Sequence, residues 1–73
     1  MRETLKNARK QAGMTQQQMA DELGVGLRYY KSLESGERLG SIDLWDRLED
    51  ITGIHQRKLR EISGIHLSQE DNQ

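Results

Sequence analysis

Residues 15–38, TQQQMADELGVGLRYYKSLESGER, leave this chain few ways to fold. Thr15 is a helix-capping residue, and Gln18 stands three positions on. At that capping-box spacing each side chain satisfies a free backbone donor of the other. Met19, Ala20 and Leu23 recur at helical spacing and form one apolar face. Gly24 follows the last of them, where a positive φ ends a helix at little steric cost. Val25 can plug the corner. The pattern predicts a further helix from Leu27 to Ser35, stopped by Gly36.

Two helices joined by a three-residue, Gly-containing turn form a helix-turn-helix unit. Ala20 is small where the two helices cross, and a larger side chain there would push them apart. The rest of the chain reads as scaffolding for this unit. Seventy-three residues make one domain with a small core. Without cysteine there is no disulfide framework and no thiolate metal site, and without proline the helices run uninterrupted. The opening MRETLKNARK lacks the apolar run of a signal peptide, and no stretch approaches the ~20 apolar residues of a membrane span. A soluble, cytoplasmic protein is expected. The net charge of −1 conceals a local +3 over residues 1–12 and a local −3 over residues 41–54. A partner senses the local field, so the average excludes little.

In the first predicted helix, starting near Thr4 and ended by Gly13, Leu5, Ala8 and Ala12 share one face. Met14 can pack beneath the next helix start. Arg9 borders the apolar stripe and needs an anionic partner if buried. On the third helix Tyr30 and Leu33 point inward with Glu34 nearby. Arg28, Ser32 and Ser35 point outward, Lys31 and Tyr29 lie on the flanks, and Leu27 sits at the exposed leading end. Ser41 caps a fourth helix with Asp43 in its first turn. Leu44, Leu48 and Ile51 face the core there, flanked by Trp45, for which packing outweighs partner binding. The segments ITGIH at residues 51–55 and ISGIH at residues 62–66 both look like glycine-ended helix C-termini. They predict a fifth helix from about His55 to Ser63, with Leu59 and Ile62 inward. Residues 1–67 would form the domain, and residues 68–73 a polar, disordered tail.

Catalytic and metal chemistry find no support. His55 and His66 have no cysteine nearby and no HExxH spacing. There is no phosphate-binding GxxxxGK[ST] loop, and no serine lies in a nucleophile elbow. No enzyme activity, cofactor, metal or small-molecule ligand is expected.

On Thr15-Gln16, Met19-Ala20, Leu23-Gly24-Val25, Tyr30, Leu33-Glu34 and Gly36, the chain resembles the Cro/CI-type helix-turn-helix family, also called lambda repressor-like or XRE. Leu5, Ala8-Arg9 and Ala12-Gly13-Met14 extend the resemblance over roughly residues 3 to 62. It implies an all-α, compact five-helix domain with a central helix-turn-helix that binds double-stranded operator DNA, usually as a homodimer. By position, Thr15 and Gln16 would touch phosphates at the start of helix two. Leu27, Arg28 and Ser32 would read base edges, and Ser35 and Arg38 would lie near phosphates. Arg9 and Glu34 match an internal salt bridge of the family. The chain departs from the family pattern at Gly26, Leu27, Tyr30 and Glu37, where a capping Ser or Thr, a polar residue, Ile or Val, and Lys are common.

The side-chain chemistry leads the same way. Arg28 can donate bidentately to guanine O6 and N7, Leu27 can pack on a thymine methyl, and Ser32 can accept or donate. Lys31 or Tyr29 could reach phosphate. The expected function is a sequence-specific transcriptional regulator, a repressor of phage or mobile-element type, that inserts helix three into the major groove as a dimer. The apolar residues Ile54, Leu59, Ile62, Ile65 and Leu67 offer a pairing surface, unless Ile65 and Leu67 fold back over the core. The alternative is a protein-interaction module, antitoxin-like or an anti-repressor partner, using the acidic fourth helix and Trp45.

Overall fold

A computed structural model describes residues 1–62. Within them lie five helices and no strand: α1 (Glu3–Gln11), α2 (Gln16–Leu23), α3 (Leu27–Ser35), α4 (Ile42–Thr52) and α5 (Gln56–Leu59). Residues 63–73 lie outside the described part, and with them Ile65, Leu67, His66 and the expected polar tail. No helix among the described residues is long and apolar enough to cross a membrane.

The local signals explain the helix ends. At the start of α2 the Gln18 amide donates to Thr15 Oγ1 at 3.0 Å, and the Thr15 amide donates to Gln18 Oε1 at 2.9 Å. This closes a capping box. At its other end Gly24 adopts φ +73°, and the Val25 amide returns to the Ala20 carbonyl at 3.0 Å. That bond closes the left-handed cap and turns the chain into α3. Ser41 caps α4 by accepting from the Leu44 amide at 3.2 Å.

α2 packs mainly against α3, while α1 and α4 both pack on α5. The core takes Leu5 and Ala8 from α1, Met19 and Ala20 from α2, and Tyr30 and Leu33 from α3. Leu44, Trp45 and Leu48 of α4 and Leu59 of α5 complete it. Each fully buried large side chain contributes roughly 1.5–3 kcal/mol, which a domain this small needs from nearly every core position.

Two expectations change, for Ala12 and the fifth helix, while Trp45 packs as expected. Ala12 is exposed, because α1 ends at Gln11 and Ala12 forms its cap. Trp45 is 1% exposed and donates Nε1–H to the Leu39 carbonyl at 2.8 Å. It belongs to the core and cannot serve as a partner-binding surface. The fifth helix is a single turn instead of a helix reaching Ser63. Just past its end, the Arg60 carbonyl accepts from Arg2 Nε at 3.1 Å. Ile62 then packs against Gly36, where a Cβ would sit 3.5 Å from its Cδ1.

Two glycines separate conformational from steric demand. Gly24 has open space around the position of a Cβ, so only its positive φ resists substitution. Gly40 has φ +78°, and a Cβ there would lie 2.7 Å from Trp45 Nε1 and 3.0 Å from Leu33 Cδ1. Gly24→Ala should therefore destabilise by about 1–2 kcal/mol, the left-handed penalty alone. Gly40→Ala should cost clearly more, since overpacking adds to the same penalty. Urea unfolding of both variants checks the order; equal losses would contradict it.

Candidate nucleic-acid interface

The interface is built on a buried charge cluster. Arg9 Nε donates to Glu34 Oε2 at 2.6 Å, with both side chains nearly inaccessible. Tyr30 Oη donates to the same oxygen at 2.6 Å, and Gln16 Nε2 donates to Oε1 at 3.1 Å. Arg9 Nη1 also donates to the Met14 carbonyl at 2.9 Å. Burial alone would raise the Glu34 pKa. The hydrogen bonds from Arg9, Tyr30 and Gln16, with the Arg9 charge, outweigh it and hold the carboxyl below its ordinary value. The Tyr30 hydroxyl is pushed far up, by burial first and then by its bond to Glu34. At neutral pH the cluster is therefore Arg9⁺, Glu34⁻ and a protonated Tyr30. Tyr30 supplies a third donor to a carboxylate that burial would otherwise penalise.

This cluster fixes α1, α2 and α3 to one another and sets the outer face of α3. Arg28, Lys31 and Ser35 are exposed there; Leu27, Tyr29 and Ser32 are half-buried. The Arg28 and Lys31 side chains make no hydrogen bond or ion pair among the described residues. Ser32 Oγ donates to the Arg28 carbonyl at 3.1 Å, and Ser35 Oγ donates to the Ser32 carbonyl at 3.0 Å. With its proton so occupied, the Ser32 hydroxyl can only accept, while Ser35 Oγ already accepts from the Glu37 amide at 3.4 Å. Gly26 caps α3 without a side-chain bond, which leaves the helix start uncovered by any capping side chain. Arg38 follows the helix and lies over the Tyr29 ring, 5.2 Å from its centroid. Thr15 and Gln16 stand at the start of α2, where Thr15 serves as cap and Gln16 as a half-buried donor to Glu34.

One buried cation is not legible in the sequence. Arg2 is 2% exposed and has no carboxylate partner among the described residues. Its Nη1 donates to the Leu33 carbonyl at 2.6 Å and the Arg38 carbonyl at 2.8 Å. Its guanidinium also lies 5.1 Å from the Trp45 ring centroid. Burial, and secondarily the nearby Arg60, lower its pKa from the ordinary arginine value. The basic segment 1–12 is consequently no surface patch, since both Arg2 and Arg9 are interior.

Among the apolar residues expected to form a pairing surface, Leu59 is fully enclosed and has nothing to offer a partner. Ile54 and Ile62 are half-buried. Ile62 shares a cleft of about 470 Å³ with Leu39 and Ile42, which are 81% and 72% exposed.

Two outcomes test the cluster. Arg9→Met should destabilise by about 3–5 kcal/mol by leaving Glu34 buried and unpaired; a melting temperature equal to wild type would reject the pair. Because the Glu34 pKa is lowered on folding, its stabilisation is complete above its ordinary value of 4.5 and is lost as pH falls through the lowered one. Glu34→Gln should thus lower the melting temperature at neutral pH and flatten its fall in acid. An acid limb as steep as that of wild type would contradict this linkage.

The helix-turn-helix family model matches residues 5–59, from the first turn of α1 to the end of α5. Over 54 residues the chain is 43% identical to the cryptic phage CTXphi transcriptional repressor RstR of Vibrio cholerae serotype O1. That match covers 74% of this chain and 48% of the relative, so the chain spans about half the relative's length. No solved structure matches the chain significantly. On the family match and the five-helix fold together, the chain belongs to the Cro/CI-type helix-turn-helix family.

Proposed function

We propose that this chain is a sequence-specific DNA-binding transcriptional regulator, a repressor of phage or mobile-element type, that lays α3 in the major groove of an operator. The observation that carries the reading is the outer face of α3. Arg28 and Lys31 stand exposed with no intramolecular partner among the described residues, on a helix whose inner face is locked by the Arg9–Glu34 cluster. A guanidinium held this way matches guanine O6 and N7. Leu27 packs on a thymine methyl, and the acceptor oxygen of Ser32 takes a donor such as the amino group of adenine or cytosine. Thr15, Gln16, Lys31, Ser35 and Arg38 surround these readers and contact phosphates, with the Tyr29 ring on their flank; such contacts set register without carrying sequence information. The relative's description as a phage transcriptional repressor supports repression as the outcome.

The regulator acts as a homodimer, which places two recognition helices about 34 Å apart on successive major-groove faces. The pairing surface draws on Ile54 and Ile62, with exposed Leu39 and Ile42 in place of the enclosed Leu59. This is a binding protein, not an enzyme.

Arg28→Ala should weaken operator binding by about 1–3 kcal/mol and relax the preference at one base pair. Its melting temperature should match wild type, because the Arg28 side chain is exposed and has no partner among the described residues. Fluorescence anisotropy and thermal melts check both halves. Unchanged affinity would refute Arg28 as a reader.

A further inference from the structure

Successive residues of an α-helix are turned by about 100°. Taking the midline of the outer face between Arg28 and Ser32, Lys31 and Tyr29 stand about 80° to either side of it. One flank of the reading face therefore has a cation of its own. The other has an uncharged aromatic ring.

Arg38 fills that gap from beyond the helix. Its guanidinium lies over the Tyr29 ring at 5.2 Å from the centroid. The ring is half-buried and packs against the core, so it is a fixed support. The Arg38 backbone is held as well. Its amide donates to the Ser32 carbonyl at 3.3 Å, and its carbonyl accepts from the buried Arg2 at 2.8 Å. Among the described residues no carboxylate pairs with Arg38, although Glu37 is its neighbour in sequence. A stacked guanidinium keeps its edge N–H groups available, and those groups match phosphate oxygens.

We propose that Tyr29 is a positioning residue that carries Arg38 to the flank of α3 opposite Lys31, so that the two cations take phosphates on the two walls of the groove. The inference rests on the DNA-binding reading above. It assigns Tyr29 a role through its ring face, distinct from a phosphate contact made by its hydroxyl. The ring also removes rotamer freedom that an unsupported Arg38 would lose on binding.

The test measures the salt dependence of binding to a short mixed-sequence DNA duplex by wild type, Tyr29→Phe, Tyr29→Leu, Arg38→Ala and the Tyr29→Leu/Arg38→Ala double variant. Removing one cation from its phosphate makes the slope of log K against log salt shallower by about 0.9. Tyr29→Phe should keep the wild-type slope. Tyr29→Leu and Arg38→Ala should each flatten it by about that amount per protomer, and the double variant by no more than either. A flatter slope in Tyr29→Phe would assign the phosphate to the hydroxyl and overturn the proposal. So would an unchanged slope in Tyr29→Leu, or additive flattening in the double variant. A second readout needs no DNA: the δ-methylene protons of Arg38 should show a ring-current shift that persists in Tyr29→Phe and vanishes in Tyr29→Leu. Its absence from wild type would remove the stack. Wild type that fails to bind DNA at all would instead overturn the functional reading, and it does so before any variant is compared.

Discussion

The fold depends on one buried ion pair. Arg9 and Glu34 meet at 2.6 Å beneath the helix-turn-helix, with Tyr30 and Gln16 completing the hydrogen bonding of the carboxylate. Two buried charges are unfavourable in a low-dielectric interior unless geometry and further hydrogen bonds compensate. Here the contributors come from three helices: Arg9 from α1, Gln16 from α2, and Tyr30 and Glu34 from α3. The pair therefore fixes the angle between helices as well as holding them together. Because Glu34 faces inward, the opposite side of α3 must face out.

A second arginine extends this rigidity beyond the helix. Arg2 gathers the carbonyls of Leu33, Arg38 and Arg60 and covers the Trp45 ring. It joins the start of the chain to the end of α3, the following loop and the segment after α5. The two arginines Arg2 and Arg9 are interior, while Arg28, Lys31 and Arg38 remain exposed. Charge in this domain is thus divided between the interior and the face proposed for recognition, a division that net charge conceals.

Much of this was legible in the sequence. The capping box of Thr15 and Gln18, the left-handed Gly24 and the spacing of Met19, Ala20 and Leu23 are local signals, and short-range hydrogen bonds decide them. Arg9 bordered an apolar stripe, so it required an anion wherever the fold buried it. Long-range events were not legible. A lone Arg2 near the start of a chain looks like any solvated cation, and nothing local marks its capture by carbonyls up to 58 positions away. The extent of α5 is not legible either, since the glycine echoes do not report where the chain turns to meet Arg2. Leu59 counted as spare apolar surface because the sequence does not say how much of a one-turn helix the core absorbs. The Tyr29–Arg38 stack depends on a loop that folds back along α3, which periodicity within the helix cannot report. Tyr30 departs from the family pattern in size, yet its hydroxyl serves the buried carboxylate.

The central claim is that the outer face of α3 reads DNA sequence. Selecting bound duplexes from a random pool tests it most directly, with Arg28→Ala selected in parallel. The account predicts enrichment of a two-fold symmetric site by wild type, with half-sites about one helical turn apart. The variant should lose the preference for guanine at one position of each half-site. A pool that stays unenriched, or a variant that recovers the same site with the same guanine preference, would contradict it.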